Sequence, residues 1–259
     1  MSLQIGSINS TVVKSVGQKH SFFFGARIMQ MKSSLYFCYT KTGGLLAAKI
    51  FREAKNAFDY EVSINKILNA TDHLNIIKFI DSFPIDEQRY AIVMPYYPKN
   101  LQDLKKQIFS KMTPVPLEII AIIARDSISA LKHIHSLGYA HCDVKPANIM
   151  LKNQENGSAV LVDFGAVRKM DCLADETTPR YCLDTPAEYA TAQLDWTCLG
   201  STLAELLQVD LTEFGTVEEV VDILEQSENP ARDLVRACFS GNEAQIDLSI
   251  KKLCEDLDI

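Results

Sequence analysis

The sequence predicts an α+β fold in which a smaller, mostly β lobe precedes a larger, mostly α lobe. From about residue 21 to residue 97 the chain carries β-branched and aromatic runs that are typical of strands, SLYFCYT, LLAAKIF, IIKFIDSF and RYAIVMPYY. A helical segment at residues 54–68 interrupts them. In the following lobe apolar side chains recur at helical spacing, most clearly over residues 117–137. Two turn sequences, KTGG at 41–44 and NQENGS at 153–158, each separate two apolar runs and predict hairpin loops.

Composition narrows the class of protein. A chain of 259 residues with 47% hydrophobic and 23% charged residues is globular and long enough for one large domain or two lobes. The net charge of -7 argues against a nucleic-acid-binding surface, because neutralising phosphates needs clustered Lys and Arg. Seven cysteines without CxxC spacing or a disulfide framework predict reduced thiols and a cytoplasmic location. No run at the start resembles a secretory signal, and LEIIAIIA at 117–124 is too short to span a bilayer, so we expect no membrane insertion.

The stretch HCDVKPANIM, residues 141–150, places three polar side chains on one short loop. Asp143 precedes Lys145 by two residues and Asn148 by five, and the hairpin that follows ends at Asp163. Asn148 and Asp163 together offer an amide oxygen and a carboxylate, which suit Mg²⁺ when water and phosphate take the remaining positions. Asp143 is then available to orient and deprotonate a hydroxyl, as phosphoryl transfer requires.

These segments resemble the eukaryotic-type protein kinase family over nearly the whole chain. HCDVKPANIM is similar to the catalytic loop H-R-D-L-K-P-x-N, and VDFGAV matches the D-F-G element. The resemblance implies a bilobal protein-kinase-like fold, with a small, mostly antiparallel β N-lobe that contains one key helix and a larger α-helical C-lobe. It also implies ATP and Mg²⁺ as cofactors, held between the lobes. Asp143 would be the catalytic base, Lys145 would contact the transferred phosphate, and Asn148 and Asp163 would ligate the metal ion.

The N-lobe motifs imply the nucleotide contacts. LLAAKIF resembles the strand that ends in A-x-K, which makes Lys49 the cation for the α and β phosphates. FDYEVSINKIL resembles helix C, with Glu61 as the ion-pair partner of Lys49. YAIVMPYY resembles the hinge strand, with Met94 as gatekeeper and with Tyr96 and Tyr97 offering backbone groups to adenine.

Two further motifs concern the acceptor and the loop. Lys145 is the usual choice of Ser/Thr kinases, so a serine or threonine of a protein substrate is the expected acceptor. TTPRY at 177–181 resembles the segment that receives the substrate, with Thr178 bonded near Asp143. LDWTCLGSTLAELL matches the D-x-W-S-x-G helix, so Asp195 would support the catalytic loop backbone, while His141 would pack against the D-F-G region.

The chain also departs from the family pattern. No glycine stands between Gly25 and Gly43, where the glycine-rich phosphate loop is expected over residues 27–35, so Ser33 and Ser34 are predicted to supply side-chain donors instead. Cys142 replaces the arginine that pairs with a phosphorylated activation loop, which predicts activity independent of that phosphorylation.

Two motif positions are altered as well. Glu188, in TPAEYA, lies only seven residues before Asp195, and no arginine near CFSGNEAQIDLSI is identified as its partner. Asn65 takes a helix-C position that is usually apolar. We expect a looser active arrangement as a result, or a shift in the register of that helix.

Three functions remain open at this point. The first is an active Ser/Thr protein kinase made of an N-terminal extension (1–19), an N-lobe with hinge (20–97) and a C-lobe (98–259). The short C-lobe adds the hypothesis of a regulatory protein partner. The second is a pseudokinase that acts as a binding or scaffold module, which the glycine-free loop favours. The third is a small-molecule phosphotransferase, against which Lys145, the full DFG and the TTPRY segment argue.

Overall fold

The computed structural model describes residues 12–13, 22–30, 34–111, 114–152 and 157–259. The chain divides into two compact units, one formed by the described parts of Met1–Asp72 and Ile77–Tyr96, the other by those of His73–Ile76 and Tyr97–Ile259. Of the predicted extension at residues 1–19, only Val12 and Val13 are described.

Among the described residues, the first unit is built on a six-stranded sheet, and its antiparallel pairing is the arrangement that the family resemblance implied. Its spatial order is β1-β2-β3-β4-β6-β5. The KTGG sequence forms the turn between β3 and β4, where Gly43 takes a φ of +85°. The strands are β1 Val12–Val13, β2 Phe22–Gln30, β3 Ser34–Thr40, β4 Leu45–Arg52, β5 Asp81–Pro84 and β6 Arg89–Pro95.

One predicted strand is shorter than the sequence indicated. Of IIKFIDSF, only the last residues belong to β5, and residues 77–80 are not in a strand. The side chain of Asn69 explains part of this difference. Its Oδ1 accepts from the backbone N–H of Phe79 at 3.0 Å and its Nδ2 donates to the carbonyl of Ile77 at 3.3 Å. A side chain therefore satisfies backbone groups that a neighbouring strand would otherwise pair.

A helix covers one face of the sheet. Helix α1, Lys55–Leu68, packs its Phe58 and Val62 against Phe51 and Ile92. Ala48, next to Lys49 on β4, belongs to the cluster on the opposite side. Because side chains alternate along a strand, Lys49 shares the helix-facing side with Phe51.

The second unit is mostly helical, with two short antiparallel strand pairs. The predicted helix at 117–137 is confirmed as α3, and NQENGS does lie between two paired strands, β8 and β9. No described helix is long and apolar enough to cross a lipid bilayer. The helices are α2 Leu101–Lys111, α3 Leu117–Ser136, α4 Pro179–Cys182, α5 Ala192–Leu206, α6 Val217–Glu225, α7 Arg232–Ser240 and α8 Glu243–Asp256; the strands are β7 Tyr139–Ala140, β8 Ile149–Leu151, β9 Ala159–Leu161 and β10 Arg168–Lys169, with β7 paired to β10.

Helix α8 is an element that the sequence analysis did not assign. Its start carries a recognisable signal: Gly241 ends α7 with a φ of +66°, and the side chain of Asn242 accepts from Gln245 N. A glycine followed by an N-cap asparagine thus marks the boundary between two helices.

Helix α5 is the central element of the second unit. Every residue from Leu194 to Leu206 is buried. Two carboxylates, Asp195 and Glu205, lie among these apolar residues with no exposed surface. A buried charge is costly unless it is paired and hydrogen-bonded, so these two positions must have partners elsewhere in the unit.

Candidate active site

In the first unit the structure brings Lys49 and Glu61 together. Lys49 Nζ donates to Glu61 Oε1 at 2.8 Å and to Oε2 at 2.6 Å. The side chains are 14% and 4% exposed. The contact arises because the strand alternation of β4 points Lys49 at α1, one face of which carries Glu61. Asn65, also buried, donates from Nδ2 to the carbonyl of Glu61 at 2.8 Å, so this polar residue is accommodated within its own helix.

The three predicted adenine contacts lie at the end of β6, an inner strand of the sheet, or just beyond it. Met94 pairs with Ala47 across β4 and β6, and β6 ends at Pro95. The ring of Tyr96 packs edge-on against Phe37 with centroids 5.1 Å apart. Tyr97 belongs to the second unit, where burial raises the pKa of its phenol.

The predicted phosphate-loop donors are only partly described. Ser33 lies outside the described residues. Ser34 begins β3 and is only 8% exposed. The role of Ser34 as a donor to phosphate stays a prediction.

In the second unit the side chains of the catalytic loop converge on Asp143. Lys145 Nζ lies 2.6 Å from Oδ2, Thr178 Oγ1 donates to Oδ1 at 2.5 Å, and Asn148 Nδ2 donates to Oδ2 at 3.1 Å. Lys145 also donates to Thr178 Oγ1 at 3.0 Å. The expected contact of Thr178 with Asp143 is therefore present, and the carboxylate is held from both of its oxygens.

A buried aspartate shapes the backbone of this loop. Asp195 Oδ2 accepts from the N–H of His141 at 2.7 Å and Oδ1 accepts from the N–H of Cys142 at 2.8 Å. His135 Nε2 lies 2.8 Å from Oδ2. Cys142 has a φ of +64°, a conformation unusual for a residue with a side chain. The two backbone bonds to Asp195 hold the chain in this conformation immediately before Asp143.

The catalytic loop is also tied to the D-F-G segment. His141 packs its ring against Phe164 at 5.9 Å, edge-on, and its Nε2 lies 3.2 Å from the carbonyl of Val162. Val162 N donates to the carbonyl of Asn148 at 3.0 Å. Asp163 follows, exposed and with a φ of +64°. His141 is thus a structural residue, and it joins the loop to the segment that carries Asp163.

The residues expected to hold a metal ion have suitable donor atoms. Asn148 uses Nδ2 in its bonds to the carbonyl and carboxylate of Asp143, so its Oδ1 is the atom that can ligate a cation. Asp163 offers a carboxylate on the surface of the unit. Over the described ranges no group of three or more His, Cys, Asp and Glu side chains is placed to hold a metal ion. One amide oxygen and one carboxylate nevertheless fit Mg²⁺, which keeps several water ligands.

Comparison with known sequences decides the family. The sequence profile of the protein kinase domain matches residues 32–255, most of the chain. This chain belongs to the protein kinase family. The family resemblance and the α+β kinase fold expected from the sequence are therefore confirmed.

Several curated kinases are similar to parts of this kinase domain. It is 36% identical over 125 residues to the serine/threonine-protein kinase ksp1 of Schizosaccharomyces pombe, over 46% of this chain and 26% of that protein. It is 34% identical over 106 residues to the serine/threonine-protein kinase RUNKEL of Arabidopsis thaliana, over 41% and 7%. It is 34% identical over 140 residues to the serine/threonine-protein kinase US3 homolog of Gallid herpesvirus 2, over 53% and 32%. The chain therefore spans a third or less of the length of these relatives.

The segment of the kinase domain after D-F-G is anchored at its start by an ion pair. Arg168 of β10 lies 2.6 Å from Asp175 Oδ1 through Nη2, and it also donates from Nη1 to the carbonyls of Gly165 and Val167. β10 in turn pairs with β7, just before the catalytic loop. The sequence analysis missed this pair, because a contact seven residues apart on an irregular segment has no periodic signal.

Cys142 lies against this anchor rather than in solvent. Its thiol is fully buried, and burial, with a smaller contribution from the nearby Asp195 carboxylate, raises its pKa to about 12. Glu188 is exposed, and its carbonyl accepts from the N–H of Ala174. Cys142 and Glu188, two residues in the altered motifs of this kinase domain, therefore each contact the backbone of a neighbouring segment.

Proposed function

We propose that this kinase domain is catalytically active and transfers the γ-phosphoryl group of ATP, with Mg²⁺, to serine or threonine hydroxyls of protein substrates. One observation carries the proposal: the carboxylate of Asp143 is oriented from both oxygens by Lys145, Thr178 and Asn148. A carboxylate held in this way is suited to receive a proton from an incoming hydroxyl.

The roles of the loop residues follow from charge. Asp143 takes the proton of the acceptor hydroxyl as the bond to phosphorus forms. Lys145, which lies 2.6 Å from Asp143, neutralises negative charge that develops on the transferred group. Its contact with Thr178 keeps the ammonium group on the acceptor side of the loop.

Nucleotide and metal would use the remaining residues that the family resemblance assigns to the site. Lys49, held by Glu61, would contact the α and β phosphates, and the backbone near Met94, Tyr96 and Tyr97 would contact adenine. Asn148 and Asp163 would hold Mg²⁺, which neutralises phosphate charge when it is bound. Ser33 and Ser34 would donate hydrogen bonds to phosphate in place of the absent glycines.

The acceptor type is supported by two independent features. Lys145 stands two residues after Asp143, the arrangement of Ser/Thr kinases that the sequence resembles. The relatives from Schizosaccharomyces pombe, Arabidopsis thaliana and Gallid herpesvirus 2 are named serine/threonine-protein kinases. Serine or threonine is therefore the proposed acceptor.

Activity is proposed to be independent of phosphorylation after D-F-G. Cys142 provides no cation for a phosphate group, and Arg168 is already bound to the carboxylate of Asp175. The carboxylate of Asp175 therefore already binds the cation that a phosphorylated residue would otherwise bind. We also propose that the chain has a regulatory protein partner. A cytoplasmic location is proposed as well, because all seven cysteines are free thiols.

A pseudokinase is the second candidate, and the glycine-free segment at residues 26–42 favours it. Without glycine, the backbone amides approach phosphate less easily. The two readings differ in whether the chain transfers phosphate at all.

The test is transfer of label from ATP to a generic protein substrate in the presence of Mg²⁺. Asp163→Ala should lower the rate on the order of a hundredfold or more, since a metal ligand is lost. Asp171→Ala is the matched control, because Asp171 is also exposed, also has positive φ (+66° against +64°) and lies outside the proposed site. Pretreatment with a phosphatase should leave the wild-type rate unchanged.

Each other result selects a different function. No transfer by the wild type would reject the kinase proposal and favour the scaffold. Transfer only to small hydroxylated compounds would favour a small-molecule phosphotransferase. A rate that collapses after phosphatase treatment would refute independence from phosphorylation while leaving the kinase activity established.

A further inference from the structure

Two buried thiols face each other across the contact between α4 and α5. Cys182 Sγ and Cys198 Sγ lie 3.9 Å apart, and both residues are buried. They are 16 residues apart in the chain, so packing rather than a short motif brings them together. Two sulfur atoms at this separation need only a small movement to form a disulfide, in which they lie about 2.05 Å apart.

Hydrogen bonds on both sides of the thiols fix how the two segments lie against each other. Ser201 Oγ of α5 donates to the carbonyl of Tyr181 at 2.9 Å. The hydroxyls of Thr185 and Thr197 share a hydrogen bond of 2.9 Å. The residue after Tyr181 and the residue after Thr197 are the two cysteines. Each sulfur is therefore held at this interface, between contacts that join the same two segments.

The two thiols differ in how readily they ionise. The hydrogen bond from Cys198 lowers the pKa of Cys182 below its ordinary value, and the same bond, together with burial, raises the pKa of Cys198. Because the thiolate is the nucleophile in thiol oxidation, Cys182 is the residue that reacts first with an oxidant. Cys198 is then the thiol that attacks the oxidised sulfur.

The turn that carries Cys182 is short and strained at its end. Helix α4 has four residues, and Leu183, which follows it, has a φ of +48°, a region that residues with a side chain rarely adopt. A short, strained turn opens locally more readily than a long buried helix such as α5. Local opening of α4 gives a small oxidant access to the buried sulfur of Cys182.

A movement of Cys182 reaches the catalytic loop through Thr178. Cys182 Sγ donates to the carbonyl of Thr178 at 3.5 Å, and Thr178 Oγ1 donates to Asp143 Oδ1 at 2.5 Å. A disulfide removes the thiol proton, and thus the first of these bonds, and it closes the gap between the sulfurs by about 2 Å. Because α5 is buried along its length, the four-residue turn is the part that moves, and Thr178 is displaced from Asp143.

We propose that Cys182 and Cys198 form a reversible disulfide under oxidising conditions, and that this bond lowers the rate of phosphoryl transfer. Hydrogen peroxide is the oxidant: the Cys182 thiolate attacks one oxygen, the O–O bond breaks, and a sulfenic acid and hydroxide form. The Cys198 sulfur then attacks the sulfenic sulfur, its proton leaves with the hydroxyl as water, and the S–S bond forms. Two thiols are thus oxidised while one peroxide is reduced to water. The effect on rate rests on the proposed function, whereas the formation of the disulfide does not.

The experiment treats the full chain with hydrogen peroxide, blocks the remaining thiols with iodoacetamide and digests the protein without reduction. A protease that cleaves at acidic residues is needed, because Asp184, Glu188 and Asp195 lie between the two cysteines. Mass spectrometry should find the Cys182 peptide joined to the Cys198 peptide, and dithiothreitol should separate them.

The same treatment should lower kcat for a peptide substrate on the order of tenfold or more, because a displaced group beside the proposed base slows transfer steeply. Dithiothreitol should restore the rate. Cys198→Ala should have the wild-type rate before oxidation and should keep it afterwards. Cys182→Ala should also resist the oxidant, so the test stands if one of the two variants does not fold.

Cys238→Ala is the matched control. Cys238 is also fully buried in the second unit, on α7, and burial raises the pKa of its thiol to about 12. This variant should form the disulfide and lose its rate on oxidation as the wild type does.

The inference is overturned if the Cys182 and Cys198 peptides stay separate after oxidation, or if Cys182 is joined to a different cysteine. It is equally overturned if the disulfide forms while the rate is unchanged, or if Cys198→Ala loses as much activity as the wild type. A wild type that transfers no phosphate before oxidation would refute the proposed function. Mapping of the disulfide would still decide whether the two thiols react with each other.

Discussion

Cys142 and Asp163 share a φ of +64°, and each lies in one of the two segments that carry the proposed chemistry. The left-handed region costs a residue with a side chain roughly 1–2 kcal/mol, so it persists only where surrounding contacts enforce it. At Cys142 these contacts are the bonds to Asp195. Cys142 precedes Asp143 and Asp163 is itself a predicted metal ligand, whereas other residues with positive φ, such as Asp171, lie outside the proposed site.

The cysteines make a prediction at the scale of single residues. Burial raises the pKa of Cys142 and of Cys238 to about 12, so near neutral pH almost none of either thiol is the reactive thiolate. Cys172 is exposed. Brief treatment of the native protein with iodoacetamide should alkylate Cys172 well before the other two, as measured by peptide mass spectrometry.

The control for that measurement is the unfolded protein. In denaturant all seven cysteines should react, because burial no longer suppresses ionisation or access. Equal labelling of Cys142 and Cys172 in the native protein would contradict the buried position of Cys142.

At the scale of elements, α5 organises the second unit by placing polar residues at both of its ends. Asp195, at its first turn, bonds the catalytic loop, and Glu205, at its last, bonds α2 and α4. One buried helix therefore connects the loop that carries the proposed base, Asp143, with the turn that follows Thr178. These hydrogen bonds and ion pairs are buried away from water, and the low local dielectric strengthens each of them.

Asp195→Asn tests the first of these links. The amide cannot accept both backbone N–H bonds, so at least one buried donor loses its partner. We expect the free energy of unfolding to fall by about 1–3 kcal/mol, and the catalytic rate to fall with it. Urea unfolding measures the first effect.

Asp247→Asn is the control. Asp247 pairs with Lys132 on the surface and is 53% exposed, so the same substitution should cost less than about 1 kcal/mol. Similar losses in the two variants would show that Asp195 does not support the loop in the way described.

At the scale of the whole molecule, the two units each supply part of the proposed machinery. The first carries Lys49 and Glu61, and the second carries Asp143, Asn148 and Asp163. The kinase profile covers residues 32–255, and this chain spans 26% of the Schizosaccharomyces pombe relative and 7% of the Arabidopsis thaliana relative.

MgATP should stabilise the whole chain, because a ligand that binds only the folded state adds its binding free energy to stability. At a concentration a hundred times its Kd the gain is about 2.7 kcal/mol, visible as a rise in Tm. Lys49→Met should reduce that rise sharply by removing the cation for the phosphates.

Lys55→Met serves as the comparison, since Lys55 forms an exposed pair with Asp59 on α1 and lies outside the proposed site. It should retain the wild-type rise in Tm. A rise that survives Lys49→Met unchanged would remove Lys49 from the nucleotide contacts.

Much of this kinase domain could be predicted from local sequence. Periodicity indicated α1 and α3, turn residues indicated the loops at 41–44 and 153–158, and motif order indicated the residues around Asp143. These signals are local, since each depends on side chains within one element or one turn. The error at β5 also has a local cause, because the side chain of Asn69 bonds backbone groups that a strand would otherwise pair. Helix α8 was omitted because its N-cap residue, Asn242, was not recognised.

The amino-acid sequence by itself determined the family, the succession of a mostly β lobe and a mostly α lobe, and the chemical types gathered on the catalytic loop. Only the tertiary structure decided which distant groups meet: Glu205 with Lys105, one hundred residues away, and Asp195 with the backbone of the loop. The physical reason is that these contacts form only when folding packs distant segments together and buries their polar groups. A carboxylate inside an apolar helix reveals in sequence only that it needs partners, and packing alone selects them.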